Sequence, residues 1–158
     1  MAGGLMYTSR FENVSVTAAV QDIWEIVTGN NAILIHWVRI DFSPTITSGV
    51  AQDERARIQI LERSTAGTGG TAVTPAGMHP RNTVASLTTT TRTVVTTQGT
   101  AGDIKIDVRP SIITPIELLF SADMRIPVQA NSGRLCILLV AALSGAFNCN
   151  STICFEEF

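Results

Sequence analysis

Ala32-Ile-Leu-Ile-His36-Trp-Val-Arg-Ile-Asp-Phe42 is the stretch whose reading decides the fold. Successive side chains on an extended chain point to opposite faces. By that count Ala32, Leu34, His36, Val38 and Ile40 face one way. Ile33, Ile35 and Trp37 face the other, until Arg39 and Asp41 turn that face polar. A strand apolar on both faces at one end and on one face at the other lies between two packed layers, or under a neighbouring subunit. Leu135 to Leu143 repeats the message: it is apolar throughout, so this strand is central and covered on both sides. It is too short for a membrane helix, which needs about 20 residues.

Composition extends the strand reading to the whole chain. Thr, Ile and Val make up 49 of the 158 residues, and such β-branched side chains suit a pleated surface. Charged residues are 15% and hydrophobic ones 45%, which excludes a disordered chain. The net charge is -2 and Lys105 is the single lysine, so no broad basic field for nucleic acid exists.

Working outward, Val14, Val16, Ala18 and Val20 share one face of a strand within residues 11–20. Residues 21–28 also fit helical spacing through Val20, Ile23, Trp24 and Val27. Gly29-Asn-Asn31 follows like a hairpin turn and favours a strand there. Residues 54–63 put Ala56, Ile58 and Ile60 inward and Arg55, Arg57 and Gln59 outward. Residues 64–82, with four glycines and two prolines, are the longest irregular stretch, and long loops in compact domains tend to carry function. Residues 83–97 carry Thr on both faces, which predicts a surface or edge strand of weak register. Ile104, Ile106 and Val108 alternate with charges, Ile116 to Phe120 is a further strand, and Pro127 confines residues 125–128 to an edge. Ser144-Gly145 turns the chain back, so residues 147–155 run antiparallel as the last strand. The expectation is an all-β fold, an antiparallel two-sheet β-sandwich, jelly-roll-like, of about eight strands. Residues 1–10 read as an N-terminal arm and 11–158 as a single domain.

The chemical inventory is thin. His36 sits mid-strand on an apolar face, and His79 has no Cys, Asp or Glu at ligand spacing. Cys149 and Cys154 fall on opposite faces of one strand, while Cys136 on a neighbouring strand can approach one of them. Gly67-Thr-Gly-Gly70 lacks the helix and lysine of a phosphate-binding loop. Asp53 and Glu54 beside Arg55 and Arg57 read as a solvated, salt-bridging edge. No catalytic set, metal site or cofactor is expected. The first ten residues lack the pattern of a secretion signal, so a soluble protein made in a reducing cytoplasm, with free thiols, is expected. Apolar residues lie outside the obvious core: Leu5, Met6 and Tyr7 on the arm, Phe155 and Phe158 at the other end. That surplus suggests an assembly protein, forming a homo-oligomer.

Residues 7–19 (Tyr7-Thr-Ser-Arg-Phe-Glu-Asn-Val-Ser-Val-Thr-Ala-Ala19) and Gln21-Asp-Ile-Trp-Glu-Ile26 resemble the start of small virion proteins of tailed bacteriophages. Ile60, Arg63-Ser-Thr-Ala-Gly67, Gly69-Gly70, Thr74-Pro75, Pro80-Arg-Asn82 and the ending Ile153-Cys-Phe-Glu-Glu157 carry the same resemblance. The resemblance implies a capsid decoration (cement) protein, a β-sandwich that commonly forms trimers on the outside of the head and stabilises it. The partners implied are the major capsid protein and further copies of the chain itself, with no direct nucleic acid and no membrane. The place implied is the capsid surface of a virion. The Thr-rich run and the three cysteines depart from that group. The candidate shell or subunit contacts are Leu5, Met6, Tyr7 and Arg10 on the arm, Thr74, Met78, His79 and Arg81 in the loop, and Phe158. Ile33, Ile35 and Trp37 are candidates for contact between subunits. A neck, tail or fibre-base virion protein, a jelly-roll glycan-binding module and an enzyme are the competing readings.

Overall fold

The computed structural model describes residues 4–16, 20–44, 54–80, 87–141, 143 and 147–158. Ala18, Asp53, Arg81, Asn82, residues 83–86, Ser144 and Gly145 therefore lie outside the described residues.

The β-branched runs of the sequence become twelve strands among the described residues. These are β1 (Leu5–Val16), β2 (Gln21–Val27), β3 (Ile33–Pro44), β4 (Ile58–Arg63), β5 (Thr71–Val73) and β6 (Ala76–Gly77). β7 (Thr90–Val95), β8 (Ala101–Val108), β9 (Ile116–Leu119), β10 (Ile126–Val128), β11 (Arg134–Leu139) and β12 (Phe147–Glu157) follow. They form two antiparallel sheets. Sheet A has the order β10-β3-β12-β1-β6, with β9 also pairing β3. Sheet B has the order β5-β7-β2-β11-β4-β8.

The pairings nest. β1 pairs β12 in sheet A and β2 pairs β11 in sheet B. β3 pairs β10 in sheet A and β4 pairs β8 in sheet B. Two chain halves wound around each other in this alternation make a jelly roll. Eight strands make the roll, and β5, β6, β7 and β9 are added to its edges. Two expected hairpins are thereby corrected. The turn after Val27 carries the chain from sheet B to sheet A, and β12 lies between β3 and β1 rather than beside β11. Consecutive strands of a roll alternate sheets, so short turns bridge the sandwich instead of closing ladders. Cys136 is accordingly in the sheet opposite Cys149 and Cys154, not beside either.

The core is the gap between the sheets. Val38, Ile40 and Phe42 of β3 meet Trp24 and Ile26 of β2, Ile58 and Ile60 of β4, and Leu135, Ile137 and Leu139 of β11. The strict alternation expected of β3 fails at His36. Cys154 pairs Trp37 but Phe155 pairs Ile35, so His36 is the extra residue of a bulge. A bulge shifts the side-chain phase by one. Ile33 and Ile35 therefore point into the core together with Val38 and Ile40, and Trp37 points out. Ile33 and Ile35 are buried within the chain, which removes them from the expected subunit contact.

Two further expectations are revised. Residues 5–10 of the supposed arm are the first half of β1, and Tyr7 is a fully buried core residue stacked on Phe155 at 5.8 Å. β7, from the Thr-rich run, is an inner strand between β5 and β2. Thr91 and Thr93 are buried while Thr90 is exposed, and the Thr91 hydroxyl finds partners inside. Thr91 Oγ1 lies 2.7 Å from Ser9 Oγ and donates to the Val73 carbonyl at 2.8 Å. The open edge at β8 carries Asp103, Lys105 and Asp107 and two register breaks, both of which discourage pairing with another strand.

Polar bonds cross the gap at three places. The Trp24 indole donates to Ser151 Oγ at 2.8 Å, and Ser151 in turn donates to the Arg39 carbonyl at 2.7 Å. Ser9 and Thr91 make the second link. Glu157 of β12 makes the third, accepting from the Thr88 and Thr89 amides at 3.1 and 3.0 Å and from both hydroxyls at 2.9 Å. Removing a buried acceptor strands its donors. Glu157→Ala is expected to cost about 2 kcal/mol, read as a lower urea midpoint with unchanged slope.

Candidate interaction surface and a buried charge cluster

The outer face of sheet A carries apolar side chains that the roll does not need. Along β9, Ile116 and Leu118 pack toward the core, while Glu117 and Leu119 alternate with them. Leu119 is 75% exposed and pairs in register with Trp37. Trp37, Leu119, Arg39 and Glu117 line a shallow depression of about 200 Å³. Met124, in the turn joining β9 to β10, is 70% exposed, and Ile113, just before β9, is exposed as well. Three exposed large hydrophobics thus fall within twelve residues of sequence, on β9 and the segments that flank it. Their rim is charged and balanced. Arg39 pairs Glu117 at 3.5 Å, and Glu156 takes His36 at 3.1 Å and Arg125 at 4.0 Å.

The residues expected from sequence as contacts are dispersed over the molecule. Met6 and Met78 are neighbours on the outer face of sheet A, where the Met78 amide donates to the Met6 carbonyl at 2.9 Å. His79 is exposed beside Met78. Arg10 is exposed and paired with Glu12. Leu5 packs against the core and Tyr7 lies inside it. Thr74 borders a groove of about 620 Å³ with Val73, Pro75 and Leu87 at the β5 side of sheet B. Phe158 is exposed at the end of the chain, its amide bound to the Ala32 carbonyl at 3.1 Å. Leu119, Met124 and Ile113 were not among the expected contacts. The signal for Leu119 was legible: in Ile116-Glu-Leu-Leu-Phe120 it is the apolar residue on the side that Glu117 makes polar.

The outer face of sheet B holds a buried charged cluster. Residues three apart on a regular strand face opposite sides, yet Asp22 and Glu25 meet. The cause is a bulge in β2, where Ile137 pairs Trp24 but Leu138 pairs Asp22, leaving Ile23 extra. The ligand atoms of Asp22, Glu25 and Cys136 lie within 4.8 Å of one another. Arg63 donates to Asp22 at 2.6 Å and to the Gly99 carbonyl at 2.8 Å. Arg92 donates to Glu25 at 2.9 Å and to the Gly67 carbonyl at 3.1 Å. The Gly67 amide closes over Glu25 at 3.2 Å, and a Cβ there would meet Glu25 Oε2 at 2.8 Å. The glycine-rich loop is thus a strap over a charge cluster rather than a free phosphate cradle.

Burial pushes the Asp22 carboxyl above its usual range, and Arg63 pulls it partly back. Burial also pushes the thiols up, Cys149 to about 12, Cys154 to about 11, and Cys136 higher than ordinary through burial and then the Asp22 charge. Among the described residues, Asp22 Oδ2 has no hydrogen-bond partner. Even so, two guanidiniums already balance the two carboxylates, so a cation would bring excess charge into a balanced, largely buried cluster. The arrangement is a structural ion-pair network. None of the known protein-family models, curated proteins or solved structures compared with the chain matches it.

Removing one partner of a buried pair leaves an uncompensated charge. Asp22→Ala is expected to cost about 3–5 kcal/mol in chemical denaturation, and the double replacement Asp22→Leu with Arg63→Met to recover most of that loss. A second ion pair tests pH. Arg57 and Gln59 hydrogen-bond Asp107 and hold its carboxyl at about 2, below the ordinary 3.8. A depressed folded value stabilises above the unfolded value, and that contribution fades as pH falls from about 4 toward 2. Arg57→Ala should move the Asp107 titration, followed by NMR, up toward its ordinary value.

Proposed function

We propose that the chain is a structural protein of a virus particle, a decoration protein that binds the outside of a tailed-phage head as an oligomer, with a trimer as the expected state. The reading is structural rather than enzymatic. The single observation that carries it is the apolar surface around β9, where Leu119 stands in solvent beside Trp37 and Met124 and Ile113 are exposed on the flanking segments. A closed sandwich gains nothing from such residues, whereas a contact between proteins does. The jelly-roll winding is a second support, since viral capsid proteins use it, though lectins do too. The sequence resemblance to phage virion proteins is the third. The balanced rim of Arg39, Glu117, Arg125 and Glu156 suits a protein partner better than a polyanion.

The work done is linkage. A protein that binds the assembled, expanded shell and not its dispersed subunits stabilises the shell by mass action. Attachment through several copies multiplies weak contacts into firm ones.

The test has two arms. Light scattering of the purified protein should give an oligomer, and incubation with undecorated expanded heads should show it on their outer surface by electron microscopy. Leu119→Asp and Met124→Asp should weaken self-association or head binding by roughly 30-fold, the loss of about 2 kcal/mol typical of a central contact. A monomer that ignores heads, copies found only at the neck or tail, or glycan binding without any particle would overturn the reading.

A further inference from the structure

Three sulfur-bearing side chains share the outer face of sheet A. Cys154 lies on β12, where odd-numbered residues point into the core and even-numbered ones point out. Met6 lies on β1 diagonal to it, opposite Glu156 and directly preceding inward-facing Tyr7, while Thr8 is the register partner of Cys154. Met78 follows β6, and because Tyr7 pairs Gly77, Met78 stands opposite Met6 on the same face. The Met78 side chain reaches across β1 and brings its thioether sulfur to 3.5 Å from Cys154 Sγ. Cys154 is almost fully buried beneath it, while Met78 itself is 56% exposed. On the other side of Cys154, Trp37 is its register partner across the ladder, also facing outward.

We propose that Cys154 and Met78 form a two-sulfur binding site for a soft monovalent metal ion of the Cu(I) or Ag(I) type. Thiolate and thioether sulfur are the ligands such ions select, whereas Mg and Ca select oxygen. The charge arithmetic favours a monovalent ion. Binding transfers the Cys154 proton to water as the sulfur–metal bond forms, with no change of oxidation state. One thiolate and one monovalent cation then leave no net charge against an apolar surface, while a divalent ion would leave one. The nearby acid, Glu156, is engaged by His36 and Arg125. A metal–sulfur bond of about 2.3 Å requires the two sulfurs to part by about 1 Å, within reach of the flexible, exposed Met78. The outward Trp37 ring adds an aromatic surface of the kind that attracts cations.

This inference stands apart from particle binding, since it needs neither an oligomer nor a head. The experiment is anaerobic titration of the full chain with Cu(I) against a coloured chelator. One equivalent should be retained. Cys154→Ser should abolish retention, and Met78→Leu, an exposed and nearly isosteric change, should weaken it at least about tenfold with the melting temperature unchanged. Cys136→Ser and Cys149→Ser should leave it intact. No retained ion, wild-type affinity in Met78→Leu, or retention that follows Cys136 or Cys149 would overturn the proposal.

Discussion

The structure rests on burying the inner faces of two sheets against each other. That burial brings a constraint: any polar group carried into the gap must find its partner there, because water cannot reach it. Trp24 and Ser151, Ser9 and Thr91, and Glu157 with Thr88 and Thr89 meet this demand. Each pair joins a strand of one sheet to the other sheet or its flank. The same bonds that satisfy buried donors therefore fix how the sheets sit over one another. This explains why a run as rich in threonine as β7 can occupy an inner position. The Thr91 hydroxyl is not merely tolerated there despite its polarity; it is an attachment point.

The outer faces follow a different logic on each side. On sheet B a charged cluster lies under the strap at Gly67, and its cost in desolvation is offset by two arginines and by the Gly67 amide that closes over it. On sheet A the outer face is left partly apolar, with Trp37, Leu119 and Met78 at or near the surface. In both cases a bulge sets the arrangement. The one at Ile23 turns Asp22 to the side of Glu25, and the one at His36 turns Trp37 outward beside Leu119. Each inserts a single residue into a ladder and reverses the phase of everything beyond it.

These two faces support the functional reading in complementary ways. The ion pairs under the Gly67 strap and the polar bonds across the gap hold the scaffold together, and the proposed attachment uses the apolar residues around β9. The added strands β5 and β6 widen the sheets where the sequence has its long glycine-rich stretch. They turn what reads as a loose loop into more sheet.

Much of this was legible in the chain. The density of Thr, Ile and Val determined an all-β protein, and the doubly apolar run Leu135 to Leu143 determined a central, covered strand, which the structure ends at Leu139. Period-two alternation named Ala56, Ile58 and Ile60 as core, and Pro127 marked an edge. Three things came only from the tertiary structure. Which strands share a sheet is a long-range matter, because a turn such as Gly29-Asn-Asn31 looks the same whether it closes a hairpin or crosses a sandwich. The phase beyond a bulge is invisible, because the extra residue at Ile23 or His36 is chosen by the opposing strand. The partners of Asp22, Glu25 and Glu157 lie some forty to seventy residues away, so local pattern carries no trace of them. Sequence fixes what each segment prefers to be, whereas pairing across the gap decides which face each side chain is left on.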